Sequence, residues 1–85
     1  MSQQKRQMFA VAQNLRSLAR LHADAQRHST ASALYDESLN WAKRAEGLPN
    51  ANDLIQVLTR ERSTVRQQET MAQAADIAMA EDSLA

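Results

Sequence analysis

Residues 8–25 read MFAVAQNLRSLARLHADA. Within this stretch Met8, Val11, Leu15, Leu18, His22 and Ala25 recur at alternating steps of three and four, and Met1 extends the series by one heptad. Such spacing predicts a helix that buries one face. Ala12 and Ala19 widen the stripe, and Leu21 flanks it. Arg16, Arg20 and Arg27 fall off the stripe and are expected in solvent. The first helix is placed at about residues 3–27.

Moving toward the C-terminus, His28-Ser29-Thr30 interrupts the pattern. Ser29 or Thr30 is expected to cap a second helix by accepting a hydrogen bond from an orphan backbone amide. That helix, at about 30–46, carries Ala31, Leu34, Ser38, Trp41 and Ala45 as its stripe, with Tyr35 and Ala42 on the same face. Lys43 and Arg44 close it, where cations suit the helix dipole. Gly47-Leu48-Pro49-Asn50 is the strongest punctuation in the chain, because glycine ends a helix in a left-handed conformation and proline prevents its continuation. Asn50 or Asn52 is the expected cap of a third helix at about 51–82, with Asp53 in its first turn.

The third helix buries Leu54, Ile55 and Leu58, and then from Thr59 to Thr70 offers Val65 as its one large apolar residue. It becomes apolar again at Met71-Ala72-Gln73-Ala74-Ala75-Asp76-Ile77-Ala78-Met79. With short connections the helices run up, down and up. At ~1.5 Å per residue the second helix descends to about Val11, and the third regains the level of the first turn near residues 66–68. Residues 1–7 then protrude at one end. Residues 69–85 form a C-terminal arm at the other, unless the arm folds back at a hinge near Ser63-Thr64 or Gln67-Gln68.

Composition agrees with this all-α expectation. The chain has 85 residues, one glycine, one proline and no cysteine. Good helix formers dominate, and the β-branched and aromatic residues that strands favour are scarce. Disulfides and thiolate metal sites are excluded. A single domain of this size buries only ~60–65 % of the surface its unfolded chain exposes, so a partner that covers more surface is expected to help. The N-terminal apolar run is too short for a signal peptide, and no run spans a membrane, so a cytoplasmic protein of bacterial or phage style is expected.

Formal charge is zero, but it is polarised along the chain. Residues 1–28 carry Lys5, Arg6, Arg16, Arg20 and Arg27 against Asp24. Residues 51–85 carry Arg60, Arg62 and Arg66 against Asp53, Glu61, Glu69, Asp76, Glu81 and Asp82. The acidic arm of one subunit is therefore a candidate to meet the basic first helix of another.

No constellation for catalysis stands out. Ser29 beside His28 reads as a capping pair without a third group. His22 and His28 do not share a helix face as a metal pair would, and His22 reads as a partly buried histidine bonded to a neighbour. Asp36-Glu37 and Glu61/Glu69 read as solvated carboxylates, and no glycine-rich loop cradles a phosphate. The second helix, its turn and the third helix have the outline of a helix-turn-helix, and Arg60, Arg62 and Arg66 cluster. A neutral chain whose recognition helix opens with Asp53 is nevertheless poorly suited to phosphates. No cofactor, metal or small-molecule substrate is expected.

Leu15 to Ala42 resembles one tetratricopeptide repeat. Leu18-Ala19 looks like the repeat's large–small pair, Ala31 like the small residue opening its second helix, and Tyr35 like its aromatic position. Ser38 stands where the family has alanine, and Gln26 stands near the place of the turn glycine. Ala33-Leu34-Tyr35-Asp36-Glu37-Ser38-Leu39 is also similar to the second helix of microtubule-interacting-and-trafficking domains. Both families bind helices or extended peptides in grooves, so the resemblance implies protein binding. The expectation is a non-enzymatic interaction module in one domain: an adaptor, a secretion-type co-chaperone or an inhibitor, working as a homodimer or hetero-complex. Met71, Ala75, Ile77, Ala78, Met79, Trp41 and Phe9 are the candidate partner-binding residues. A helical nucleic-acid-binding regulator is the alternative.

Overall fold

A computed structural model describes the backbone of residues 2–84 and the side chains of residues 3–75. The chain is all-α, with helices α1 (Ser2–Asp24), α2 (His28–Arg44) and α3 (Ala51–Leu84). They run up, down and up in a molecule 63 × 17 × 15 Å in extent. No described helix is long and apolar enough to cross a membrane.

The first turn explains why α2 starts earlier than expected. The Arg27 amide donates to the His22 carbonyl (2.9 Å), and the Gln26 amide donates to that of Ala23 (3.0 Å). This is the Schellman arrangement, with Gln26 in the left-handed conformation at φ 65° where glycine is usual. The turn hands straight over to α2, whose N-cap is Arg27 and carries no side-chain cap bond. Ser29 and Thr30 therefore lie in the first turn of the helix and are not its cap.

At the other end α2 stops at Arg44, and Gly47 takes φ 107° as its position requires. Lys5 Nζ donates to the Glu46 carbonyl at 2.8 Å, which places a cation at the C-terminal pole of α2. So α2 descends past Val11 to the level of Lys5, and the N-terminal segment protrudes less than its length suggested. The difference arises because α1 ends at Asp24, three residues earlier than expected, so that α2, unchanged in length, starts its descent from a lower level.

Tight packing of small residues joins α1 to α2. Ala12 and Ala19 on α1, and Ala31, Ser38 and Ala42 on α2, are fully buried. Ser38 Oγ donates to the Ala12 carbonyl at 2.6 Å, a bond that needs the two backbones close together. Leu39 of α2, with Leu54, Leu58 and Val65 of α3, forms the larger-residue part of the core. α2 lies between its neighbours, while α1 and α3 touch each other only marginally.

That arrangement corrects the register expected for α1. The row facing inward is Phe9, Ala12, Arg16, Ala19 and Ala23, one position along from the row of large apolar residues. Val11 and Leu18 are exposed, Met8, Leu15 and His22 are half-buried, and Ala25 lies exposed in the turn. Alanine lets the helix axes approach closely, and close approach turns the bulkier row out to the flank.

Candidate protein-interaction face

Helical geometry divides the surface of α1 into two flanks on either side of its alanine row. One flank leads toward α3. Arg16 marks it: Nε and Nη2 each donate to the Glu61 carboxylate at 2.9 Å. Arg16 and Glu61 are both partly buried, at 32 % and 27 % side-chain exposure. Arg16 was expected in solvent and Glu61 on a solvated face. The pair instead straps α1 to α3 across Tyr35. The Arg16 hydrogen bonds hold the Glu61 carboxyl below its ordinary range, and Glu61 in turn raises Arg16. Burial, reinforced by Glu61, pushes the Tyr35 hydroxyl up to about 12.

A second ion-pair cluster explains the polar middle of α3. Arg62 Nη1 donates to Asp36 (3.0 Å), and Arg66 Nη2 reaches both Asp36 oxygens at 3.1 and 3.2 Å. Of the arginines that suggested a phosphate-binding stripe, Arg16, Arg62 and Arg66 are thus engaged by carboxylates within the chain, whereas Arg20, Arg27 and Arg60 are exposed. Two of the carboxylates considered for acid–base work, Asp36 and Glu61, hold these arginines.

The other flank of α1 faces away from α3, carries no charged residue and exposes several large apolar ones. Val11 is 36 % exposed, Leu18 46 % and Leu21 65 %. Met8 and Leu15 continue the row inward and are half-buried, as are Leu34 and Trp41 of α2. His22 is half-buried there, and its Nδ1 has no hydrogen-bond partner among the described residues, nor has that of His28. No group of three or more metal-ligating side chains is found among the described residues.

The candidate contact residues fall into separate places. Phe9 and Trp41 pack part-buried against the core, and Trp41 carries the Arg44 guanidinium 5.0 Å above its ring. Met71 is 71 % exposed and Ala75 is also exposed, on an α3 that continues as one helix without a hinge. Met71 and Ala72 border a shallow hollow beside the first turn, with Asp24, Gln26 and His28. Ile77, Ala78 and Met79 lie outside the described side chains. Val11 and Leu18 were missed as surface residues because their spacing reads equally well as a core stripe, whereas Leu21 was already placed on its flank. The signal available was the pair of small-residue rows at heptad spacing, Ala12/Ala19 and Ala31/Ser38/Ala45.

No protein-family model, curated protein or solved structure matches the chain.

Proposed function

We propose that the chain is a non-enzymatic interaction module that binds a protein partner by helix–helix contact. The observation that carries this reading is the row of large apolar residues left outward on α1, Val11, Leu18 and Leu21. Isolated apolar residues on a surface need no explanation, but a contiguous helical row is the usual mark of a contact site. Exposed Met71 adds a second apolar element on α3, and methionine adapts to irregular partner surfaces. The resemblance of Leu15–Ala42 to one tetratricopeptide repeat points the same way by analogy. An adaptor, a co-chaperone and an inhibitor all fit this mode of action, and a cytoplasmic setting belongs to the same proposal.

The test compares the full chain with Leu18→Glu and with a truncation after Gln68. Sedimentation velocity across concentration is combined with co-purification from the native host. The reading expects an assembly, homomeric or with a partner, that Leu18→Glu weakens while circular dichroism stays unchanged. The truncation is expected to keep its helicity per residue and to lose part of the assembly. A strictly monomeric, folded chain that co-purifies with nothing contradicts the proposal.

A further inference from the structure

We infer that the apolar flank of α1 is the seam of a homodimer, in which a second copy packs antiparallel about a two-fold axis near Leu15. This rests on the helix–helix reading above and names its partner.

The argument starts from where α1 keeps its charges. Successive residues of an α-helix turn by about 100°. On that geometry Lys5, Arg6, Arg16, Arg20 and Asp24, the only Asp, Glu, Lys or Arg residues of α1, all fall on the side running from the alanine row toward α3. Arg16 fixes that side, because it reaches Glu61. The opposite half of the helix carries Met8, Val11, Leu15, Leu18 and His22, and is otherwise filled by Gln, Asn, Ala and Leu21. A helix face turned to water ordinarily carries charge. This one carries none although its exposed residues include Val11, Leu18 and Leu21.

The missing charge then narrows the occupant to an apolar partner. An uncharged flank offers nothing to a phosphate backbone or an acidic peptide, and it presents no like charge to repel its own copy. The acidic arm of a neighbouring molecule, which the sequence alone suggested for α1, would find the basic residues on the wrong side. The apolar spacing is also self-complementary. Relative to Leu15, Met8 and His22 stand seven residues to either side, and Val11 and Leu18 stand four and three. An antiparallel copy crossing at a two-fold on Leu15 therefore seats Leu15 on Leu15, Val11 against Leu18 and Met8 against His22. On α2, Leu34 and Trp41 lie on the side opposite Asp36, which pairs with α3. They extend the seam beyond one helix, as an interface of about 800 Å² per partner requires. A two-fold pairing of one face with itself is the commonest way homomers form.

The test uses the full chain. Sedimentation equilibrium is expected to show a monomer–dimer equilibrium, and Leu18→Glu is expected to weaken it by about tenfold or more with the circular dichroism unchanged. The chain has no cysteine, so disulfides report the register directly. Oxidising a mixture of Val11→Cys and Leu18→Cys chains is expected to give the mixed disulfide dimer faster than either chain links to itself. Ser17→Cys, on the charged side, is expected to give little. A chain that stays monomeric at all concentrations overturns the inference. So does a dimer indifferent to Leu18→Glu, or a Leu18→Cys chain that links to itself as readily as to Val11→Cys. A dimer lost on truncation after Gln68 but not in Leu18→Glu overturns it in favour of an arm-mediated contact. If the chain is monomeric yet co-purifies with a host protein that Leu18→Glu releases, the homodimer falls and the interaction module stands. If neither assembly exists, both fall.

Discussion

Leu18 and Ala19 are neighbours in sequence and opposites in the fold, and exchanging their sizes separates the two registers of α1. Leu18 is 46 % exposed and Ala19 is fully buried. Truncating a leucine in a core costs about 2–5 kcal/mol, whereas on a flank about half exposed the expected cost of Leu18→Ala is about 1 kcal/mol or less. Enlarging a buried alanine forces its neighbours apart and costs about 1–3 kcal/mol. For Ala19→Leu the upper end applies, because the Ser38 hydroxyl, 2.6 Å from the Ala12 carbonyl, holds α2 against this face. Alanine and leucine both favour helix, so propensity contributes little to either change. The assay is urea unfolding followed by circular dichroism, at chain concentrations low enough to keep the monomer. A domain of this length has about 4–13 kcal/mol of stability in total, so a loss near 3 kcal/mol is easily read. If Leu18→Ala costs more than Ala19→Leu, α1 is packed in the other register and the reasoning fails.

Glu61→Gln removes one end of the strap between α1 and α3 and is expected to cost about 1 kcal/mol at neutral pH, by urea midpoint. Because the Glu61 carboxyl is held below its ordinary range, its contribution is complete above the unfolded value of about 4.3 and disappears as pH falls through the folded value. The acid limb of stability should therefore be shallower in Glu61→Gln than in the parent chain. Gln26→Gly relieves a left-handed residue and is expected to stabilise by about 0.5–1 kcal/mol, with a thermal midpoint a few degrees higher. An unchanged or lower midpoint would mean the first turn is not a Schellman turn. Leu58→Ala empties a fully buried position between α2 and α3. It should cost about 2–5 kcal/mol, read as a lower urea midpoint at an unchanged slope.

Most of the architecture was legible in the residues. Gly47 and Pro49 announced the second turn, and the unbroken run after Ala51 announced a long α3. Element ends moved by only a few residues. What escaped was the direction in which α1 faces. The rows through Val11–Leu15–Leu18 and through Ala12–Arg16–Ala19 have the same three-four spacing and differ by one residue. A reading weighted by hydrophobic bulk prefers the first. The fold prefers the second, because small residues on two helices permit a backbone approach that large ones forbid. The straps were illegible for a different reason: Arg16 finds Glu61, and Asp36 finds Arg62 and Arg66, at separations no local pattern reports. Ser29 and Thr30 misled because α2 already begins at His28, which puts both hydroxyls inside the first turn and leaves Arg27 at the cap position.

An isotope-filtered NOE experiment on a mixture of labelled and unlabelled full-length chain tests most directly that the large apolar row of α1 meets another molecule. Cross-peaks between Leu18 methyls of one chain and Val11 methyls of another are expected, with few from Leu18 to Leu39 or Leu58 within a chain. Leu18 methyls in contact with that core, and no intermolecular signal anywhere on α1, would contradict the account.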